Sequence, residues 1–351
     1  MKTIPSRLVA VGIAILPAVL CLAILLISRG CGETVSYRSR ETFAMDTILS
    51  FRLPDTVTEE QYQETLAQIK RLEEIFSRTV PDSVTSRFNR SESGMEITDP
   101  DFLALLSRSL EIAGQTGGAF DLTAGPLTEI WDITGENPEI PDESEIQTAL
   151  TAVGYRKLTL QDGFLSKENS GVSLDFGGCA KGYICEAVLN QLKQLGVESG
   201  ILSFGGNVGI LGPLEGKSTC RVGIANPDSP EFAAGYLSVD RGFVSVSGDY
   251  ERYFEADGNR YHHIFDPKTG RPAQSGVRSV AVWSEDGTLA DALSTALFVM
   301  GVQGAQELYE SGIYSFEAVF YLSDGSYYVT DGIRDRYEHV SDSFSREFGT
   351  E

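Results

Sequence analysis

Asp162-Gly163, Asp257-Gly258 and Asp324-Gly325 each stand between alternating or β-branched runs. Tight turns that match strand twist need positive φ at their centre, and Asp-Gly reaches it at little cost. Each pair predicts a hairpin, and hairpins build antiparallel sheets. Helical patterns separate the strand runs. The expected class is therefore α+β, a single domain of mixed, largely antiparallel sheets with flanking helices rather than a doubly wound parallel fold.

The helices announce their ends. Thr58-Glu59-Glu60-Gln61 is a capping-box pattern, and Tyr62, Leu66, Ile69, Leu72 and Phe76 follow at helical spacing. A second helix opens at Asp99-Pro100 and stops before Gly117-Gly118. Further helices are predicted over Glu143–Val153, Ala180–Leu195 and Leu289–Met300, closed by Gly154, Gly196 and Gly301. Thr42–Leu53 reads as one strand and Val172–Leu174 as a short one. The boundaries expected are a linker over 31–41, one domain over 42–337, and a polar, frayed tail over 338–351.

Residues 1–30 form a separate unit. Lys2 and Arg7 precede an uncharged run from Leu8 to Ile27, followed by Ser28, Arg29, Gly30 and Cys31. Twenty residues at about 1.5 Å each cross a hydrocarbon layer. An uncleaved signal anchor fits the length. A lipoprotein signal with Cys31 acylated is the rival, although Ser28 and Arg29 depart from its usual pattern, and a buried core helix is the third reading. Either of the first two places the folded domain outside the cytoplasm at the cell membrane. The net charge is −22; removing Lys2, Arg7 and Arg29 from the 28 cations leaves 25 against 50 acids. So acidic a surface repels phosphate backbones and excludes nucleic acid as a partner, and an anionic ligand then needs a local cation. Cys179, Cys185 and Cys220 lack metal spacing and read as small buried hydrophobes.

Stretches that could carry chemistry recur along the domain. Asp175-Phe-Gly-Gly-Cys-Ala-Lys181 delivers an acid, two glycines and a lysine to a helix start, which suits a phosphate. The plainer alternative is a glycine turn with a solvated lysine. Asp291 and Thr295 are four apart on a helix and share a face. Their hard oxygens suit Mg²⁺; otherwise they are an acid on a helix dipole and a back-bonded hydroxyl. Ser247-Gly248 can offer hydroxyl and backbone donors to a phosphate. His262 and His263 are adjacent in a strand, so at most one points into a given site. Gly118-Ala119-Phe120-Asp121 with Thr123, Pro126 and Trp131 could hold a flat aromatic ligand, or merely close a helix.

Taken in order, these stretches resemble the ApbE family. The resemblance runs over about residues 40–332. It is carried by Phe43-Ala-Met45-Asp-Thr47, Ser86-Arg-Phe-Asn89, Gly118-Ala-Phe-Asp121, Asp175-Phe-Gly-Gly-Cys-Ala-Lys181-Gly-Tyr183, Gly205-Gly206-Asn207, Ser247-Gly248-Asp-Tyr250, His263-Ile-Phe-Asp266-Pro-Lys-Thr-Gly270 and Ala290-Asp291 through Thr295. It implies an FAD:protein FMN transferase that moves FMN from FAD to a Ser or Thr hydroxyl and releases AMP. It implies an acceptor in a membrane electron-transfer complex. Met45, Ala119, Phe120, Asp121, Asp175, Lys181 and Phe265 would line FAD; Asp291, Thr295 and the backbone at Gly178 would hold Mg²⁺. His263 would be an acid/base or phosphate contact, alongside Lys181 and Asp291 as catalytic residues. Thr79 stands where the family has an FAD-contacting tyrosine, and Asn207 and Glu186 where it often has aspartate. Two rivals share this site: a Mg²⁺-dependent FAD pyrophosphatase and a non-enzymatic FAD-binding lipoprotein.

Overall fold

The alternating runs assemble into a nine-stranded sheet in a computed structural model that describes residues 35–347 apart from 137 and 215. Its strands lie side by side in chain order: β1 (Tyr37–Ala44), β2 (Thr47–Pro54), β3 (Gly200–Phe204), β4 (Asn207–Gly212), β5 (Gly242–Gly248), β6 (Val277–Ser284), β7 (Glu317–Leu322), β8 (Ser326–Val329) and β9 (Arg346–Glu347). Every neighbouring pair is antiparallel except β8–β9. The expected α+β class holds.

Helices α1 (Glu59–Phe76), α2 (Val84–Arg90), α3 (Pro100–Gln115), α4 (Gly125–Trp131), α5 (Glu143–Leu150) and α6 (Ala180–Gln194) all fall between β2 and β3, and α7 (Gly287–Ser311) joins β6 to β7. Period-two alternation gives the sheet two buried faces. On β7, Ala318, Phe320 and Leu322 enter the main core under the helices, while Val319 and Tyr321 enter a second core. That second face is covered by the ribbon Cys220–Asn226/Ser229–Val239, extended by Tyr337–His339. Helix α7 is long and apolar enough to cross a membrane, but 72% of its apolar window is buried in the fold, so it is a core helix.

The end signals are met. Thr58 and Gln61 close their capping box, and Asp99 caps α3. Asp162-Gly163 and Asp257-Gly258 turn hairpins with both φ values positive. At Asp324-Gly325 only the glycine is left-handed, and the loop has three residues, Ser323 to Gly325.

Other expectations need correction. Thr42–Leu53 is not one strand: Met45 and Asp46, at φ 52° and 56°, turn the chain between β1 and β2. No Gly or Pro marks that turn; a distant contact holds it, as Met45 N donates to Glu73 Oε1 on α1 at 2.7 Å. β1 begins at Tyr37, inside the expected linker. Val172–Leu174 has no strand partner. The Asn89 side chain takes that place, donating to Leu174 O at 2.9 Å and accepting from Leu174 N at 2.7 Å. Gly301 does close the first helical stretch as expected, at φ 71° and ψ 178°, but a second stretch follows at once to Ser311, so α7 runs on across the kink. Helix α5 stops at Leu150, three residues early. The tail is not frayed over its described part: Tyr337–His339 pairs with the ribbon, Phe344 is 1% exposed in the second core, and β9 pairs with β8. Its polar composition hid one anchoring aromatic. The anchor and lipid readings fall on residues 1–30, outside the described residues.

Strand registers put the 45–46 turn, the 205–206 turn, the 249–276 insertion and the 323–325 loop at one end of the sheet. The candidate residues gather there.

Candidate active site

The site is built where α6 and α7 meet. Two glycines let them touch. A Cβ on Gly182 would lie 2.1 Å from Gly287 O and 2.7 Å from Asp291 Cβ, and one on Gly287 would lie 2.8 Å from Gly182 O. Any side chain would force the backbones apart. Asp291 thereby reaches the first turn of α6, where Oδ2 accepts from Gly182 N at 2.8 Å. Its Oδ1 accepts from Asn207 Nδ2 at 3.2 Å. Asn207 in turn accepts from Ser245 Oγ. Where an aspartate at 207 would add a second carboxylate, the asparagine gives Asp291 a donor. Glu186 turns away to the start of α7, where Oε2 accepts from Gly287 N at 3.0 Å.

Thr295 stands one turn on from Asp291, and its Oγ1 lies 3.1 Å from where a Gly178 Cβ would be; Phe120 Cε2 lies 3.4 Å from the same point. Asp291, Thr295 and the Gly178 backbone, expected together from the sequence, do converge. A carboxylate offers about four acceptor positions, and Asp291 uses two, so room for a cation remains. Among the described residues no three carboxylate, imidazole or thiol groups cluster. The donors present suit a hard cation that takes its other ligands from water and phosphate, which is how Mg²⁺ is commonly bound. The set fits the metal.

The glycine loop before α6 presents Lys181, whose Nζ donates to Gly177 O at 2.9 Å. Asp175 organises that loop. Its Oδ1 accepts from Gly177 N at 2.8 Å and its Oδ2 from Thr128 Oγ1 at 2.9 Å. Met45 lies half-buried in the β1–β2 turn, and Thr47 beside it packs on Gly205.

His262 and His263 separate as their strand requires. His262 is core: Nε2 donates to Ala273 O at 3.1 Å, and Nδ1 accepts from Ile264 N at 3.3 Å. His263 keeps an open face. Its Nδ1 lies 3.3 Å from Arg252 O. A carbonyl only accepts, so that bond puts the proton on Nδ1 and leaves the Nε2 lone pair free. Desolvation first, then the Arg252 charge, holds its pKa down at about 3. Glu251, which the sequence did not single out, joins the cluster: Oε1 lies 3.5 Å from a Cβ placed on Gly206. Desolvation lifts its carboxyl to about 7, against the pull of Lys181 and Arg252. Its outer surface meets water, which screens part of that effect. Lys181 and Asp291 both act on Glu251 electrostatically, and Lys181 acts on His263.

Several candidates turn inward. Asp121 is 8% exposed, and its carboxylate is taken by Thr123 N, Thr123 Oγ1 and Tyr155 N. Burial still raises its pKa. Three of its roughly four acceptor positions are thus used within the fold. The buried Ser247 hydroxyl shares a 2.8 Å hydrogen bond with Ser294, which donates to Asp291 O at 2.8 Å. Gly248 makes room for the Tyr250 ring, 2.3 Å from its would-be Cβ. Phe265 packs near Trp131 with ring centres 6.0 Å apart, and Trp131 Nε1 donates to Gly270 O at 2.8 Å, binding the 118–131 and 261–270 segments together. A cavity of about 340 Å³ opens beside them, lined by Gly118, Asp121, Tyr155, Arg156, Lys157 and Lys268. Cys179, Cys185 and Cys220 are buried and unpaired, as expected.

Fold and site define an antiparallel α+β protein with a lysine-bearing glycine loop, a hard-cation donor set and a neutral histidine at one sheet end. The ApbE family model matches residues 45–320, and the chain belongs to that family. It is 30% identical over 340 residues to the FAD:protein FMN transferase of Treponema pallidum, covering 90% of this chain and 94% of that one. The Vibrio cholerae transferase is 32% identical over 66% of this chain and 70% of its own. Among solved structures, the ApbE protein of Thermotoga maritima superposes with a TM-score of 0.80 at 33% identity, over 86% of this chain and 99% of that one. The flavinyl transferase ApbE of Pseudomonas stutzeri does so at 0.77 and 27%, over 88% and 98%.

Proposed function

We propose that this enzyme is an FAD:protein FMN transferase that moves FMN from FAD to a Ser or Thr hydroxyl of an acceptor protein. The carrying observation is the convergence of Lys181, Asp291, Thr295 and His263 at one sheet end, in a chain whose relatives bear that activity by name. Lys181 and the α6 N-terminus place positive charge against the FAD pyrophosphate, which the acidic surface elsewhere would repel. Asp291, Thr295 and the Gly178 backbone would hold Mg²⁺. When bound, the ion neutralises pyrophosphate charge and lowers the barrier to attack at phosphorus. With the His263 proton held on Nδ1 toward Arg252 O, the free Nε2 lone pair would accept the proton of the incoming hydroxyl. The hydroxyl oxygen forms a bond to the FMN phosphorus, the bridging P–O bond breaks, and AMP leaves with that oxygen.

His263's open face would also admit water. Without an acceptor the same site would give free FMN and AMP, which is the pyrophosphatase reading. The acceptor is proposed to be a subunit of a membrane electron-transfer complex. The N-terminal run is proposed to hold the catalytic domain at the outer face of the cell membrane, by anchor or by lipid. Purified enzyme, FAD and Mg²⁺ with such a subunit should yield a fluorescent band that survives denaturation. Its absence with FAD binding intact would falsify the transferase reading.

A further inference from the structure

Arg78 follows α1 in the segment Ser77-Arg78-Thr79, and its backbone is pinned, since Arg78 O accepts from Ser86 Oγ at 2.9 Å. Thr79 is exposed, but its hydroxyl is turned back to Ser77 Oγ at 3.0 Å. The Arg78 side chain instead reaches toward Asp175, at the glycine loop. It stops short: Nε lies 3.8 Å from Asp175 Oδ2, beyond hydrogen-bonding distance. Asp175 is already satisfied by Gly177 N and Thr128 Oγ1. Arg78 Nε is left buried with no hydrogen-bond partner. A buried guanidinium donor is seldom left unmet, and its fork matches oxygen acceptors on a planar or phosphate ligand. The neighbours of Asp175 are the loop that carries Lys181.

We propose that Arg78 is an FAD-binding residue whose guanidinium donates to an oxygen acceptor of FAD beside Asp175. This rests on the transferase reading of the site. The acceptor is a pyrophosphate oxygen or a flavin-ring carbonyl, which share this chemistry.

The test uses the full-length chain in detergent, titrated with FAD, ADP and riboflavin, with wild type, Arg78→Ala and Arg78→Lys compared. Arg78→Ala is expected to raise the FAD Kd about 10- to 100-fold, the range for a hydrogen bond to a charged group. Ligand-free melting should fall only slightly, because the substitution removes the 3.8 Å ion pair with Asp175 but no hydrogen bond. Arg78→Lys should recover little, since an ammonium cannot fork. A parallel loss for ADP assigns the pyrophosphate, and one for riboflavin the ring. An FAD Kd within twofold of wild type overturns the proposal. So does a Kd increase that comes with ligand-free melting lowered by more than the loss of one such ion pair accounts for, which marks Arg78 as structural. If wild type itself binds no FAD, the transferase reading falls too; if wild type binds and Arg78→Ala binds equally, Arg78 alone is misassigned.

Discussion

Desolvation favours the neutral form of both His263 and Glu251, and so moves their pKa values in opposite directions. For His263 this opposition to charge keeps Nε2 unprotonated but also weakens it as a base; an anionic substrate beside it would offset that. His263→Ala should lower kcat on the order of 10²–10⁴-fold while FAD affinity holds within a few-fold. Equal losses in both would make the histidine a binding contact instead. Glu251 has the reverse linkage. Its folded pKa, about 7, exceeds the ordinary 4.5, so the folded state holds the proton more tightly. Stability from this group is complete below pH 4.5 and is lost as pH rises through 7. Without Mg²⁺, melting curves of Glu251→Gln should show an advantage over wild type that grows between those limits and is flat beyond them. A pH-independent difference would contradict the assignment.

At the scale of elements, the α6–α7 crossing decides the site's geometry. Gly182→Ala places a methyl against Gly287 O and Asp291 Cβ, which overpacking makes worth about 1–3 kcal/mol of stability. Turnover should then need more Mg²⁺, and a titration with an unchanged half-saturation would show that the crossing does not position Asp291. Much of this level was legible in sequence. The Thr58 capping box, the Asp162-Gly163 and Asp257-Gly258 turns and the Asp291/Thr295 helical spacing are local signals, and each landed where its residues indicated. What escaped was set by distant partners. The Met45-Asp46 turn depends on Glu73, the 172–174 segment on Asn89, and the C-terminal strands on the burial of Phe344. Ser247 and Asp121 sit in motifs that suggest ligand contacts, and both are also engaged by partners within the fold that the motifs do not announce. Glu251 carries no motif of its own; only folding places it beside Lys181 and Asp291.

For the whole molecule, a net charge of −22 makes the cations of one recess decisive. A dianionic nucleotide approaches an acidic surface against repulsion, so binding should be confined to where Lys181 and the α6 N-terminus offset it. The N-terminal run adds a second large-scale claim, which mass measurement of the native N-terminus settles: an intact Met1-containing chain supports the anchor, and a chain starting at an acylated Cys31 supports the lipoprotein. Soluble protein lacking the run and any lipid would contradict both. The central claim is covalent transfer of FMN, and the most direct measurement is intact mass of the acceptor subunit after incubation with enzyme, FAD and Mg²⁺. Transfer predicts a gain of one FMN per modified hydroxyl with AMP released in equal amount, abolished by Asp291→Ala. An acceptor of unchanged mass beside free FMN and AMP would contradict it.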